Sequence, residues 1–309
     1  MQIEILGSAA GGGFPQWNCN CRNCQSLRSG VFHGRSRTQT QVAVSSDNEA
    51  WFLLGASPDL RTQIERTPAL QPRRAGRDSP LAGVLLDSAE IDQIAGLLSL
   101  RELQPFRIYC TSSLRHILQK DNTVFAMLNR APHQVCWMDI KVGESFPLLT
   151  IAGNHSGICC EVFSLGNKYP AYVSPQRAEQ LNSEEALLGM MLTSSSGGRM
   201  AYVPAVPAID EYLLRRLESV DLVLFDGTFW SDGELMQVQE GAAKAREMGH
   251  VPVSGQEGSL CKLAEMRRPR KIFVHINNTN PMLDQSSPEY REVEAAGWEV
   301  AEDGWHLNL

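Results

Sequence analysis

The chain has 309 residues, of which 43% are apolar, and its formal net charge is −7. A chain of this length buries roughly three quarters of its unfolded surface, so it needs no disulfides to hold a core. The acidic balance argues against nucleic acid as a partner. No run of about 18 apolar residues is present to cross a membrane, and the N-terminus lacks the features of a signal peptide. The sequence therefore predicts a cytoplasmic protein that handles small molecules or peptides.

The predicted elements begin with a strand at residues 2–6, a glycine-rich loop at 7–13 and a hairpin made of 41–44 and 51–54. Apolar patterns then predict, in chain order, a helix at 59–70, a strand at 81–86, a helix at 91–103, a strand at 106–110, a helix at 112–120, several strands between 134 and 163, a strand at 199–203, a helix at 209–217, strands at 222–225 and 271–276, a helix at 289–296 and a last strand. Strands that come first and then alternate with helices are typical of a layered α/β architecture. No linker interrupts the chain, so we predict one domain over residues 1–309.

Cysteines are concentrated near the N-terminus. Cys19, Cys21 and Cys24 form a Cys-x-Cys-x-x-Cys motif in the loop at residues 18–24. Three thiolates this close can bind one tetrahedral ion, and thiolate-rich sites favour Zn2+. The alternative is a loop of free thiols, but exposed thiolates oxidise readily. We therefore predict a structural zinc whose fourth ligand comes from elsewhere in the chain.

A polar turn follows the predicted strand at 81–86. It contains Asp87, Ser88, Glu90, Asp92 and Gln93. Ligands of α/β folds bind where strands end, and two carboxylates two residues apart can face one cation. The alternative is helix capping by Asp87 or Ser88, with Glu90 in the first turn. The turn alone favours capping.

Three further polar side chains lie at or near the ends of apolar strands: His155, Asp226 and His275. Each of them alone is usually a structural residue. Polar groups at the ends of several strands are better explained by one shared site. We therefore expect the turn and these three side chains to converge.

Several segments resemble the pyrroloquinoline quinone (PQQ) synthesis protein B family. The matching segments are residues 6–24, 87–97, 154–156, 226–230, 248–252 and 275–281, and the resemblance covers essentially the whole chain. It implies an α/β fold of the metallo-β-lactamase superfamily, a four-layer αββα sandwich with metals at one edge.

The resemblance also shows where this chain departs from its superfamily. The usual motif is His-x-His-x-Asp-His, but Ser88, Glu90 and Gln93 stand in the histidine positions and only Asp92 is kept. No carboxylate follows the strand at 201–203. A two-zinc hydrolase needs about seven ligands and a bridging carboxylate. The resemblance therefore implies one ion in place of two.

The ligands expected for that ion are His155, His275 and Asp92, with Glu90 and Asp226 as direct ligands or close neighbours. Two imidazoles and a carboxylate with open positions suit non-haem Fe2+, which can bind O2 and substrate together. The resemblance implies Fe2+- and O2-dependent hydroxylation of a tyrosine ring. Its substrate would be the Glu-Tyr unit cut from the precursor peptide of PQQ.

Supporting roles fall to other residues. Gln93 could orient a ligand or substrate, and His250 is either a neighbouring proton-transfer group or an ordinary surface or capping residue. Arg199 and Lys168 are the basic residues available to meet substrate carboxylates, although each is more often an ordinary surface charge, and residues 194–198 could form a lid.

The fourth zinc ligand is expected at Asn278, where related phosphodiesterases have a histidine. His33 and a water molecule are the alternatives. Two other functions stay open: a non-catalytic carrier of PQQ or its precursor, and a two-metal hydrolase. The sequence also leaves the oligomeric state open, and a homodimer is one option.

Overall fold

The structure, a computed structural model, describes all 309 residues. Its strands, β1 to β14, are Gln2–Gly7, Gln41–Ser45, Trp51–Leu54, Leu81–Leu85, Phe106–Cys110, Val135–Asp139, Ser145–Leu149, His155–Gly166, Leu187–Ser194, Arg199–Val203, Leu222–Asp226, Arg270–Val274, Trp298–Val300 and Trp305–Asn308. Its α-helices, α1 to α8, are Arg22–Arg28, Leu60–Arg66, Ile91–Ile94, Ser112–His116, Pro175–Ala178, Glu211–Glu218, Ser259–Lys262 and Pro288–Ala295. None of these helices is long and apolar enough to span a bilayer.

The chain divides into two compact units. The first contains residues 1–6, 41–198 and 304–309, and the second contains residues 7–40 and 199–303. Each unit is therefore assembled from separate stretches of chain. The one-domain interpretation of the sequence stays a prediction.

The first unit contains a seven-stranded sheet in the order β14-β1-β2-β3-β4-β5-β6. β2 and β3 form the predicted antiparallel hairpin, and β3 to β6 run parallel. Every residue of β3 and β4 is buried, as expected for parallel strands covered on both faces. The same unit contains β7, β8 and β9 as an antiparallel set.

The second unit contains the parallel strands β10 to β13. Its core includes an aromatic cluster in which Phe273 stacks on Trp298 at 4.2 Å and Phe225 meets Trp298 edge-on at 5.8 Å between ring centroids. Burying each phenylalanine stabilises the fold by about 2 kcal/mol. The cluster fixes β11 and β12 side by side, with Asp226 opposite Val274 in register.

The predicted helix at 91–103 is shorter than the sequence suggested. α3 ends at Ile94, and a 3-10 helix continues over Ala95–Leu100. The reason is close packing of Gly96, because a Cβ there would lie 2.2 Å from the carbonyl oxygen of Ser57. The predicted helix at 59–70 likewise ends at Arg66, two residues before Pro68.

Candidate functional site

The three N-terminal thiols converge. Cys19 and Cys21 precede α1, Cys24 lies in its first turn, and their ligand atoms all lie within 4.8 Å of one another. This confirms that the motif brings three sulfur atoms to one point. Three soft thiolates in this arrangement fit a zinc ion, so the donor set agrees with the predicted structural metal.

The side-chain amide of Asn278 covers these sulfur atoms. Its Nδ2 donates to the Sγ atoms of Cys19, Cys21 and Cys24 at 3.1, 3.5 and 3.3 Å. Because rotating the amide by half a turn exchanges Nδ2 and Oδ1, the oxygen can face an ion held by the sulfur atoms. Ligation by Asn278 stays a prediction, but Asn278 is at the position that a fourth ligand requires.

His33, the alternative fourth ligand, lies elsewhere. Its side chain is 71% exposed, and its Nδ1 lies 3.9 Å from the carboxylate of Asp284. It is therefore not part of the cysteine cluster.

The thiols of the cluster differ in acidity. Burial raises the pKa of Cys24 to about 11. Burial also acts to raise the pKa of Cys19, but hydrogen bonds from Cys21, Asn278 and Cys24 outweigh it and lower that pKa. Metal binding must therefore displace the proton of Cys24.

A second cluster contains Asp226, His250 and His275, whose ligand atoms also lie within 4.8 Å of one another. Asp226 ends β11, and His275 directly follows β12. These parallel strands bring both side chains to one sheet edge, and the loop after β11 adds His250. The rings of His250 and His275 stack at 5.4 Å between centroids and 19° between planes.

His275 has an unusual backbone conformation. Its φ is 55°, in the left-handed region that a non-glycine residue avoids. Such strain costs on the order of 1 kcal/mol or more and persists where surrounding contacts impose it, often at functional sites. The conformation supports a functional role for this imidazole.

Asp226 is fully buried and accepts hydrogen bonds from several donors. Its Oδ1 accepts from the backbone N–H and the hydroxyl of Thr228 at 3.0 and 2.7 Å. Its Oδ2 accepts from the backbone N–H of Val206 at 2.8 Å and pairs with His250 Nδ1 at 2.9 Å. These contacts fill the roughly four lone-pair positions of a carboxylate. Asp226 is therefore placed as a close neighbour that orients His250, as carboxylates behind metal-binding histidines do.

The acidic turn after β4 lies in the first unit. Glu90 occupies the N-cap position of α3 without a side-chain capping bond, so neither Asp87 nor Ser88 caps this helix. Ser88 Oγ accepts from the backbone N–H of Glu90 at 3.3 Å. The capping alternative is therefore wrong, and the roles predicted for Glu90 and Asp92 remain predictions.

Gln93 is buried, and its Oε1 has no hydrogen-bond partner. This oxygen sits over Gly55, where a Cβ would approach it to 2.2 Å. A buried acceptor without a donor costs about 1–3 kcal/mol. This oxygen is buried against Gly55, so contact between Gln93 and a ligand or substrate stays a prediction.

Tyr172 is a neighbour of the turn that sequence reasoning missed. Its Oη donates to the backbone oxygen of Ala89 at 2.5 Å. Burial, assisted by the charge of Glu90, raises the pKa of Tyr172 to about 12. The phenol thus stays a hydrogen-bond donor beside the turn. A tyrosine in a loop gave no pattern by which to find it.

His155 does not lie near the acidic turn. Ser88 bridges to Leu187, which pairs with Gly166 at the far end of β8. His155 begins this strand, eleven residues earlier, which corresponds to roughly 35 Å of extended chain. The prediction that His155 and the turn share an ion is wrong. The predicted strands between 134 and 163 are present as β6, β7 and β8, and His155 begins the longest of them.

Two other predictions fail for the same topological reason. Ser195 donates its backbone N–H to Gly157 at 2.8 Å, so the 194–198 segment lies at the His155 end of β8 and not over the turn. Arg199 begins β10 and donates its backbone N–H to Asp221 at 2.9 Å, at the strand end opposite Asp226. Lys168 lies in the exposed loop after Gly166, at the end of β8 that the turn also occupies, and stays a candidate.

The fold places the chain in a known class. A beta-lactamase superfamily domain matches residues 50–276. A diphosphatase of the PhnP family aligns over 100% of this chain and 97% of its own, with a TM-score of 0.67 at 16% identity. Human tRNase Z, short form, aligns over 100% of this chain and 99% of its own, with a TM-score of 0.58 at 13% identity. The chain is a member of the beta-lactamase superfamily, with two sheets flanked by helices. This confirms the predicted αββα class of α/β fold.

Relatives of higher sequence identity define the family within this superfamily. The chain is 43% identical over 309 residues to coenzyme PQQ synthesis protein B of Methylobacterium sp. (strain 4-46), and 41% over 314 residues to that of Ectopseudomonas mendocina (strain ymp), with 100% of each chain covered. The crystal structure of Zn2+-bound PqqB from Methylobacterium extorquens aligns over 100% of both chains with a TM-score of 0.91 at 40% identity. The chain belongs to the coenzyme PQQ synthesis protein B family.

Proposed function

We propose that this protein acts in PQQ biosynthesis and hydroxylates a tyrosine ring with O2, using one Fe2+ bound by His250 and His275. Family membership supports the pathway. The observation that supports the reaction is the stacked pair of imidazoles of His250 and His275. The carboxylate of Asp226, whose hydrogen-bonding positions are all occupied, contacts the ring of His250.

The donor atoms at this site fit iron. Two imidazoles and one carboxylate that leave positions open form the usual ligand set of non-haem Fe2+ oxygenases. The ligand roles expected of Asp92 and Glu90, in the first unit, stay predictions. The soft thiolates of the cysteine cluster suit zinc instead, so zinc can bind at the cysteine cluster and iron at the imidazoles. When bound, Fe2+ supplies the means to activate O2.

A two-metal hydrolase is disfavoured. Ser88 and Gln93 stand in histidine positions of the superfamily motif, and Pro204 follows β10 where a bridging carboxylate would be expected. The four hydrogen bonds on Asp226 prevent it from taking over that bridging role. Holding a hydroxide between two ions requires such a bridge.

The proposed substrate is the Glu-Tyr unit of the precursor peptide. Gln93 and Lys168 stay the residues predicted to meet this substrate.

The test is anaerobic loading with Fe2+, followed by O2 and a Glu-Tyr dipeptide, with mass spectrometry of the product. We expect a gain of one oxygen atom and one metal ion per chain outside the thiolate cluster. No mass change in an iron-loaded sample would favour the carrier function. Two ions outside the cluster would favour the hydrolase.

Variants assign the reaction to its site. His275→Ala should lose the oxygen transfer and the iron while it keeps the zinc. His306→Ala is the matched control, because His306 is exposed on β14 and pairs with Glu4 at 2.7 Å. Equal loss in both variants would contradict the assignment.

A further inference from the structure

The hydroxyl of Thr228 lies at the centre of the Asp226, His250 and His275 cluster. Thr228 is buried. Its Oγ1 lies 2.7 Å from Asp226 Oδ1, 2.8 Å from the backbone oxygen of His275, 2.8 Å from His275 Nδ1 and 3.1 Å from His250 Nδ1. One oxygen atom thus contacts every member of the cluster.

Counting protons assigns the direction of these contacts. A hydroxyl has one hydrogen and two lone pairs. The carboxylate of Asp226 and the backbone oxygen of His275 can only accept, so the single hydroxyl hydrogen goes to the nearer one, Asp226 Oδ1, and the contact with the backbone oxygen is not a second hydrogen bond. The remaining contacts, with the two imidazole nitrogens, are hydrogen bonds only if each Nδ1 carries a hydrogen and donates to Oγ1.

The carboxylate gives the same result for one ring independently. His250 Nδ1 also lies 2.9 Å from Asp226 Oδ2, which accepts and cannot donate. His250 Nδ1 must therefore carry a hydrogen whatever Thr228 does. For His275, the Nδ1 contact is with Thr228, so the hydroxyl has its largest effect on this ring.

A neutral imidazole with a hydrogen on Nδ1 has its free lone pair on Nε2. Nε2 lies across the ring from Nδ1 and so faces away from Thr228 in both residues. We propose that Thr228 is a positioning residue that holds His275, and with Asp226 also His250, in the Nδ1–H form, so that the metal ion binds the two Nε2 atoms. The metal-binding half of this inference rests on the proposed function, whereas the tautomers do not depend on it.

The first measurement is the long-range 15N–1H NMR spectrum of histidine-labelled protein without Fe2+, at mildly alkaline pH where imidazoles are neutral. We expect the Nδ1–H form at both His250 and His275 in the unaltered chain. The Nε2–H form at His275 in this sample would overturn the proposal. This result needs no variant and no bound iron.

The second measurement compares the Fe2+ affinity of three variants under anaerobic conditions. Thr228→Val removes the hydroxyl and keeps the shape, and we expect it to weaken Fe2+ binding about 10- to 100-fold, as losses of groups behind metal ligands do. Thr228→Ser keeps the hydroxyl and should restore the affinity. Thr40→Val is the control, because the buried hydroxyl of Thr40 donates to Ala9 O at 2.8 Å away from the cluster.

The outcomes separate the two proposals. If the unaltered chain binds Fe2+ and Thr228→Val binds it equally well, the role of Thr228 is wrong and the proposed function stands. If the unaltered chain binds no Fe2+, or if His275→Ala binds it as well as the unaltered chain does, the proposed function fails. The NMR spectrum then still decides whether Thr228 sets the tautomers.

Discussion

Glu234 is a buried carboxyl group behind the loop that carries Asn278. It accepts hydrogen bonds from the backbone N–H of Trp230 and from the hydroxyl of Thr279. Burial raises the pKa of Glu234 to about 7, against the opposing effect of these hydrogen bonds. The folded state thus holds this proton at a pH where the unfolded chain has released it.

This shift makes stability depend on pH. Between the ordinary glutamate pKa of about 4.3 and 7, the folded state binds more protons at this site, so its contribution to stability falls as pH rises. Glu234→Gln removes the cost of the buried charge, because the amide oxygen can accept from Trp230 while its NH2 group donates to the hydroxyl of Thr279, which then turns to accept. We expect the variant to gain stability relative to the unaltered chain, on the order of 3 kcal/mol at full shift. The gain should grow from about pH 4 to 7 in urea unfolding curves, and a difference independent of pH would contradict the assignment.

His155 tests the corrected ligand set. Its Nδ1 accepts from the backbone N–H of Gly157 at 2.8 Å, and its Nε2 lies 3.4 Å from the Sγ of Cys159. Because the residue lies at the opposite end of β8 from the turn, His155→Ala should keep all iron bound outside the cysteine cluster. Elemental analysis of His155→Ala and His250→Ala, compared with the unaltered chain, measures this. Loss of iron in His155→Ala would favour the earlier prediction that His155 is a ligand.

At the level of elements, α3 and the 3-10 helix that continues it depend on two glycines that let them approach the segment after β3. A Cβ on Gly96 would lie 2.2 and 2.8 Å from the backbone oxygens of Ser57 and Ala56. Gly55 has a φ of 76° and packs under Gln93. These contacts hold the helix, and with it the acidic turn, against the end of the strand.

Gly96→Ala should therefore destabilise the protein. The new methyl group meets backbone, which cannot rotate away, so we expect a loss of about 1–3 kcal/mol in the free energy of unfolding. Gly233→Ala is the matched control, because no atom lies within 4 Å of a Cβ at that position. Equal melting temperatures for the two variants would show that α3 can shift at little cost.

Over the whole molecule, the sequence was most informative where the chemistry is local. Cys19, Cys21 and Cys24 lie within six residues, so their convergence followed from their spacing alone. The fold class followed from motifs spread over the whole chain. Both predictions depend on short sequence patterns that can be recognised without knowledge of the tertiary structure.

The cluster of Asp226, His250 and His275 was harder to predict because it depends on strand length and register. The sequence placed His155 after a strand, whereas β8 begins there and runs for 12 residues. It gave His250 a minor role, because nothing local shows that the loop after β11 returns to Asp226. Thr228, two residues after Asp226, was also missed, because its importance comes from contacts with side chains 22 and 47 residues away.

The two candidate metal centres share one loop of the second unit. Asn23, on the helix that carries Cys24, donates to the backbone oxygens of Asn278 and Asn280 at 3.1 and 2.9 Å. Asn280 in turn donates to the backbone oxygen of Gly227 at 2.9 Å, next to Thr228. A continuous set of hydrogen bonds thus connects the thiolate cluster with the imidazoles.

Loss of the thiolate-bound ion should therefore weaken metal binding at the imidazoles. Cys21→Ser leaves two thiolates, too few to hold zinc tightly, and frees the loop that positions His275. We expect the variant to lose its zinc and to bind Fe2+ about tenfold more weakly, as expected when groups that orient metal ligands are disturbed. Cys261→Ser is the control, because that cysteine is exposed on α7. Zinc loss with unchanged Fe2+ affinity in anaerobic titrations would show that the two centres are independent, since the loop would then hold His275 without help from the cysteine cluster.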